Sequence, residues 1–250
     1  MAFRDHFSRD SDAYATFRPR YPDALSDWLA GVAPARRLVW DCATGTGQAA
    51  LDLADRFERV IATDASGEQI RAAIPHSRVE YRVARAQSSG IEAGTVDLVT
   101  IAQALHWLDL GSFYDEVRRV ARPGALLAAW TYGISHVLPA VDEVVDRFYR
   151  GTVGPWWPPE RVHVDRRYAD LPFPFPRLAA PEFNIEAHLT LDAYVGYLST
   201  WSATRRYIQA GLGNPLPEVR AELARHWGDA AQARRVAWPL ALLAGRVHPD

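Results

Sequence analysis

Residues 38–53 read LVWDCATGTGQAALDL and concentrate more chemistry than any other stretch of the chain. An apolar run ends in an acid, Asp41. A loop of small residues follows (Ala43, Gly45, Gly47), and a helix-compatible segment begins at Gln48. Glycine lacks a Cβ, so the backbone at Gly45 and Gly47 can turn sharply and lie against a ligand. The first N–H groups of the following helix face the same crevice. Two cofactor classes compete for such a loop. Gly45-x-Gly47-x-x-Ala50 fits a dinucleotide fingerprint, and the acid Asp64 lies downstream where a ribose-binding carboxylate is expected. Asp41 favours the other class. A carboxylate entering the loop suits a cationic group such as the amino group of S-adenosylmethionine, and it would repel a pyrophosphate. A third reading is a plain glycine turn that closes a strand–helix unit and holds nothing.

Other side chains could join this chemistry. Val60–Asp64 is a short apolar strand ending in an acid, so Asp64 could accept ribose hydroxyls, cap the helix that starts near Ser66, or do both. The run Gln103-Ala104-Leu105-His106-Trp107 follows the apolar stretch 96–102, and such a turn at a strand's carboxyl end is a site candidate. His106 could act as a general base toward a hydroxyl, or as a hydrogen-bonded structural imidazole. Cys42 is the only cysteine. It reads as a small buried thiol or, alternatively, a nucleophile, and it excludes an intrachain disulfide. All 28 basic residues are arginine, so lysine chemistry is ruled out, including a Schiff base and the Tyr-x-x-x-Lys pair of many dehydrogenases. Spaced ligands for a metal are not evident; His6, His76, His163 and His226 are scattered.

The elements that must position these groups follow from periodicity. Strands are expected at 38–42, 60–64, 79–84, 96–102, 125–130, 183–189 and 235–246, the last bent or bulged at Pro239. Helices are expected from Gln48, over 113–121 (ended by Arg122-Pro123-Gly124), over 137–150, as one amphipathic run over 191–207, and over 217–227. Strands alternating with helices predict a mainly parallel α/β sheet with helices on both faces. The ligand crevice of such a sheet lies beyond the carboxyl ends of its strands. Residues 151–181 contain PWWPPE and LPFPFP. Proline there forbids a regular helix or central strand, and the segment is too apolar for a solvated linker. It reads as an ordered arm, packed either over the carboxyl edge or on the outside.

Asp41-x-Ala43-x-Gly45-x-Gly47 resembles the first motif of class I S-adenosylmethionine-dependent methyltransferases, with Ala43 where a glycine is usual. VDLVTIAQALHW and FYDEVRRVARPGALLAAWTYG resemble the later motifs of small-molecule methyltransferases related to trans-aconitate methyltransferase and its cantharidin-methylating relatives. AYATFRPRYP, VGPWWPPER, LPFPFP and YLSTWSATRRY extend the likeness over nearly the whole chain. The resemblance implies a Rossmann-like seven-stranded sheet with an antiparallel last strand beside the fifth. It also implies a single domain over 1–250: an N-terminal cap segment (1–35), a cofactor-binding core (36–135), and a C-terminal half (136–250) with the arm 151–181. S-adenosylmethionine would be the cofactor, S-adenosylhomocysteine its product, with no metal.

On the cofactor side the implied residues are Asp41, Ala43, Gly45, Gly47, Asp64, Ala86, Gln87, Gln103 and Arg18. Tyr14, Phe17, Tyr21, Trp107, Tyr132, Trp156, Trp157, Trp201 and Arg205, with Arg206, would serve the acceptor, although the aromatic residues equally suit ordinary core. The acceptor is expected to be a small molecule methylated on oxygen, a carboxylic acid among the candidates. A net charge of −2 without a basic face argues against nucleic acid. No apolar run is long enough for a bilayer, and neither leader nor disulfide is read, so a cytoplasmic monomer or homodimer is expected. An NAD(P)-dependent oxidoreductase and a catalytically silent binding module of the same fold stay open at this point.

Overall fold

Apolar runs that end in small-residue turns become the strands of one seven-stranded sheet. The computed structural model describes residues 20–248. In chain order the elements are α1 (Asp23–Val32), β1 (Leu38–Cys42), α2 (Gln48–Ala54), β2 (Arg59–Asp64), α3 (Gly67–Arg71), β3 (Val79–Val83), β4 (Val96–Ala102) and α4 (Leu110–Val120). They continue with β5 (Ala121–Tyr132), α5 (Pro139–Arg147), α6 (Arg161–Asp165), β6 (Asn184–Leu189), α7 (Leu191–Ser199), α8 (Ser202–Gln209), α9 (Leu216–Trp227) and β7 (Arg234–Arg246). The sheet order is β3-β2-β1-β4-β5-β7-β6. Strands β1 to β5 are mutually parallel, and β7 runs antiparallel between β5 and β6.

This order reverses direction between β1 and β4. The chain leaves β1 toward β2 and β3, then returns to lay β4 on the other side, which opens a crevice at their carboxyl ends. Both faces of the sheet are covered, as a parallel sheet requires. On one face Leu126, Ala128, Trp130 and Tyr132 of β5 pack into a cluster with α1, α2, α5, α7 and α9. On the other, Ala125, Leu127 and Ala129 pack with Phe113 and Val117 of α4 and with Val164, Tyr168 and Phe175 of the arm. That two-residue alternation is why neighbouring β5 residues serve different faces.

Three local outcomes differ from expectation, each for a visible reason. Strand β5 begins at Ala121, because Arg122-Pro123-Gly124 forms an irregularity inside the strand and not a breaker before it. Gly124 has φ +73°, and Arg122 pairs at 2.7 Å with Asp97, a fully buried acid that also accepts the N–H groups of Arg37 and Leu38. The expected helix over 191–207 is two helices. Trp201 is extended between them (φ −64°, ψ 132°), and the hydroxyls of Thr200 and Thr204 donate back to the carbonyls of Tyr197 and Leu198. Pro239 sits without a bulge where β7 changes partner. Residues 234–239 pair with β6 and 240–246 with β5, so its missing N–H falls at the handover.

The arm divides in two. Residues 161–168 lie beside the carboxyl edge, where Tyr168 packs against the turn after β4, and Trp156 and Trp157 pack on Tyr207, Tyr149 and Trp201. Residues 172–178 run along β7: Leu178 N–H donates to Ala244 O, and Arg246 N–H to Pro176 O. Gly245 permits this. A Cβ there would lie 2.8 Å from both Phe173 Cε1 and Pro176 O.

Candidate functional site

The loop between β1 and α2 turns through three left-handed residues, Ala43 (φ +54°), Gly45 (φ +59°) and Gly47 (φ +90°). Hydrogen bonds hold it there. Thr44 N–H donates to Thr63 O, and Gly47 N–H to Thr44 O, each at 3.0 Å. The two glycines serve different needs. A Cβ on Gly47 would fall 2.3 Å from the Tyr81 hydroxyl, so glycine lets Tyr81 close over the turn. A Cβ on Gly45 would meet nothing nearer than Gln69 Oε1 at 3.7 Å, so the backbone there faces open room. Asp64, half-buried at the end of β2, ties this loop to its own turn: Oδ2 accepts Gly45 N–H at 2.9 Å and Oδ1 accepts Ser66 N–H at 2.8 Å. Capping of α3 falls to Ser66, whose hydroxyl accepts Gln69 N–H, and Asp64 supports that cap from behind.

Asp41 occupies a different place from the one its position suggests. The sequence has it entering the loop to meet a ligand. In the structure it is 0% exposed beneath the loop, accepting the hydroxyls of Thr44 at 2.5 Å and Thr100 at 2.6 Å. Its charge therefore reaches the crevice as a field and not through contact. Burial raises its pKa to about 6, against the lowering effect of the two hydroxyls. The neighbouring Cys42 thiol is buried and pushed well above its ordinary range by the same desolvation and by Asp41. It is a core thiol and not a nucleophile.

Across the crevice, the turn after β4 places Gln103 and His106. Gln103 is left-handed (φ +58°), and its Oε1 accepts the Thr131 hydroxyl at 2.8 Å. Its Nε2 is buried without a partner. His106 lies on a single 3₁₀ turn, Leu105–Trp107, with Nδ1 2.8 Å from the Tyr168 hydroxyl. Burial lowers its pKa to about 3, and the charges of Arg161 and His163 push the same way. The imidazole is neutral at pH 7. Trp107 tilts beside it, ring centroids 4.8 Å apart. Ala86, half-buried, and Gln87, exposed, form the turn after β3 in which Ser88 N–H donates to Arg85 O.

Of the residues expected on the acceptor side, Tyr14, Phe17 and Arg18 lie outside the described residues. Tyr21 stands edge-on to Trp130 at 5.5 Å. Tyr132 is buried on the face of α1 and α2. Its neighbour Thr131 points to the opposite face and lines a cleft of about 170 Å³ with Tyr149, Arg150, Asp165 and Arg167. Strand alternation explains the exchange. Trp201 is 5% exposed, stacked on Phe148 and edge-on to Tyr149 and Tyr197, so it serves as core. The cation over the aromatic cluster is Arg161, 4.5 Å above the Trp157 ring, with its Nε donating to the Tyr149 hydroxyl at 2.6 Å. Trp156 lies edge-on to Tyr207, and Arg206 Nη1 donates to Trp156 O at 3.4 Å. Arg205 is half-buried on α8.

Sequence reasoning missed Thr44, Thr100, Thr131, Tyr149, Arg161 and Tyr168. Thr100 and Thr131 were readable in principle, as hydroxyls near the carboxyl ends of otherwise apolar strands. Tyr168 gave no local signal. Among the described residues no helix is long and apolar enough to cross a membrane.

Comparison with known proteins bears on this geometry. Residues 40–129 match the sequence pattern of a methyltransferase domain. A Dictyostelium discoideum protein named as a methyltransferase is 34% identical over 227 residues, covering 89% of this chain and 86% of its own length. An uncharacterised methyltransferase of Mycobacterium bovis is 37% identical over 118 residues, 46% of this chain and 47% of its own. A solved structure from Anaeromyxobacter dehalogenans, described as a type II methyltransferase, superposes with a TM-score of 0.89 at 51% identity, covering 94% of this chain and 100% of that one.

Proposed function

Since the chain belongs to the S-adenosylmethionine-dependent methyltransferase family, we propose that it methylates an oxygen atom of a small molecule. The observation that carries this reading is the left-handed glycine turn tied through Gly45 N–H to one oxygen of Asp64, at the point where the strand order reverses. The residues suit the cofactor. Gly45 leaves room for a ligand against its backbone, and a buried carboxylate beneath the loop favours a positive charge above it. Asp64 would hold the ribose hydroxyls, and Ala43, Gly45 and Gly47 would lie along the amino-acid end. Ala86 and Gln87 would flank the base, with Gln103 and Arg18 completing the contacts. When bound, S-adenosylmethionine supplies a methyl group already activated on sulfur.

The chain's own contribution is then to align the acceptor and exclude water, and good alignment alone can remove roughly 7–11 kcal/mol of barrier. The arm, which sets Tyr168 against the turn after β4 and carries Trp156 and Trp157, supports the second task. Tyr21 and Trp107, with Arg205 on α8, are candidates for the first, whereas Tyr132 sits in the core on the opposite face from the cleft. His106, neutral and hydrogen-bonded, is better suited to orienting an acceptor than to removing a strongly held proton. The narrower likeness to trans-aconitate and cantharidin methyltransferases supports an acid or hydroxyl acceptor. The continuous sheet from β3 to β6 supports the reading of the described residues 20–248 as one domain.

A thermal-shift titration tests the cofactor. S-adenosylhomocysteine at 100 times its Kd should add about 2.7 kcal/mol of stability, and NADH should add none. Asp64→Ala should lose the first shift. A shift with NADH alone would overturn the proposal, and binding without turnover on a panel of hydroxyl and carboxylate acceptors would leave a silent module.

A further inference from the structure

The cleft at the end of β5 opens beside the turn that carries Gln103 and His106. Thr131, His136, Tyr149, Arg150, Asp165 and Arg167 form its polar lining. Thr131 joins it to that turn, donating its hydroxyl to Gln103 Oε1 at 2.8 Å. Arg167 (φ +55°) and Tyr168 (φ +60°) are consecutive left-handed residues that are not glycine, a conformation other residues adopt at a cost. The bend sets Arg167 on the cleft and the Tyr168 hydroxyl 2.8 Å from His106 Nδ1. Strain of this kind gathers where function requires a particular placement.

Pairing off the charges leaves one cation over. Arg150 Nε donates to Asp146 Oδ1 at 2.6 Å. Asp165 accepts the Tyr149 hydroxyl at 2.5 Å and lies 3.4 Å from Arg161 Nε. His136 Nδ1 lies 3.3 Å from Asp142 Oδ2, and Asp142 Oδ1 accepts Val137 N–H. Arg167 instead donates from Nη2 to a neutral group, Leu240 O, at 3.2 Å, and has no carboxylate partner among the described residues. The rest of its guanidinium fork is left for a ligand.

That fork matches a carboxylate through paired N–H···O bonds. A single unmatched charge suits a monoanion. A dianion would bring a second negative charge toward Asp165 with no second cation to meet it. A carboxylate gripped by a guanidinium has its lone pairs engaged and its charge offset, which makes it a poor nucleophile. The methyl group then goes to another oxygen, and in a monoanion that oxygen is a neutral hydroxyl. We propose that Arg167 anchors the carboxylate of a hydroxy acid in this cleft, and that the hydroxyl of the same molecule is the methyl acceptor. The new oxygen–carbon bond forms as the sulfur–carbon bond breaks, the electron pair of the broken bond stays on sulfur, and the hydroxyl proton leaves to water. The hydroxyl half rests on the methyltransferase reading, whereas the anchoring half does not.

Calorimetric titration of the full-length protein, with and without S-adenosylhomocysteine, separates the two. The probes are lactate, mandelate and salicylate, each against its amide. Wild type should bind at least one acid about tenfold or more tightly than its amide, the scale of a charge-assisted contact. Arg167→Gln should remove that preference while affinity for S-adenosylhomocysteine stays within about twofold. Arg167→Lys, which keeps the charge without the fork, should restore part of it. Benzoate should bind more tightly than phenyl phosphate. No acid preferred over its amide, or a preference kept in folded Arg167→Gln, would overturn the anchor. Tighter binding of phenyl phosphate would overturn the monoanion count. Incubated with S-adenosylmethionine, the preferred acid should yield a methyl ether that survives alkali. An ester, which alkali cleaves, or no product from a protein that binds S-adenosylhomocysteine, would overturn the hydroxyl half. Acid preference without any binding of S-adenosylhomocysteine would sink the methyltransferase reading and leave the anchor standing.

Discussion

Replacing Asp41 by Asn should make the ligand-free protein more stable while weakening its hold on the cofactor. The carboxylate is 0% exposed, and burial lifts its pKa from 3.8 to about 6. At pH 7 the folded state holds it mostly ionised at a penalty. A shift of about two units corresponds to ~3 kcal/mol, at 1.36 kcal/mol per unit. The direction follows from proton counting. Between the unfolded and folded values the native state binds more protons than the unfolded chain, so this group's contribution falls as pH rises through that window and is lost above it. Asparagine is neutral throughout. It does disturb one hydroxyl contact, with Thr44 or Thr100, at about 0.5–1.5 kcal/mol. A net gain of ~2 kcal/mol remains at pH 7, or roughly 4–8 °C in Tm for a chain of this size, shrinking toward zero as the pH drops to about 4.

Affinity should move the opposite way. Across roughly 8 Å at an effective dielectric of about 20, opposite unit charges attract by ~2 kcal/mol, about thirtyfold in Kd. Calorimetric titration with S-adenosylhomocysteine, whose amino group keeps its positive charge, reads this directly. Melting of the ligand-free protein at pH 5 and pH 7 reads the stability term. The reasoning fails if Asp41→Asn melts lower than wild type at pH 7, or if its affinity stays within twofold. The first result would mean the two threonine hydroxyls outweigh the burial penalty. The second would mean the field of Asp41 does not reach the crevice.

Three further substitutions test backbone shape. Ala43→Gly removes left-handed strain of about 1–2 kcal/mol but adds chain entropy of about 0.5–1 kcal/mol, so Tm should hold or rise slightly with cofactor affinity kept; a loss above about 1 kcal/mol would contradict the φ of +54°. Gly47→Ala puts a Cβ 2.3 Å from the Tyr81 hydroxyl at φ +90°, which should destabilise by about 1–3 kcal/mol, and adding Tyr81→Ala should recover part of the loss; a fully additive pair would deny the contact. Gly245→Ala would press on Phe173 and Pro176 and should speed proteolysis within 171–178, so an unchanged digestion pattern would show that the arm does not depend on this close approach.

The fold was legible because its signals are local. Apolar runs such as 96–102, closed by small residues, read as buried strands, and the glycine turn after β1 marked the crevice. The place of the last strand beside the fifth came from the family likeness, and the rest of the strand order was not legible, since nothing in a strand's own residues says which neighbour it takes. The errors share one cause. Trp201 splits a continuous amphipathic pattern because it stacks on Phe148, more than fifty positions earlier in the chain. Arg122 keeps a Pro-Gly pair inside a strand because it reaches Asp97, 25 residues away.

The site repeats this on the scale of single atoms. The state of Asp41 depends on Thr100, 59 residues on; that of Gln103 on Thr131, 28 on; that of His106 on Tyr168, 62 on. Residue type told that an acid, an amide and an imidazole were available. Which of them is charged is decided first by burial, and which partner each takes by hydroxyls that the fold brings from elsewhere. Hydroxyl-bearing residues carry little pattern in a sequence, yet each has one proton to direct.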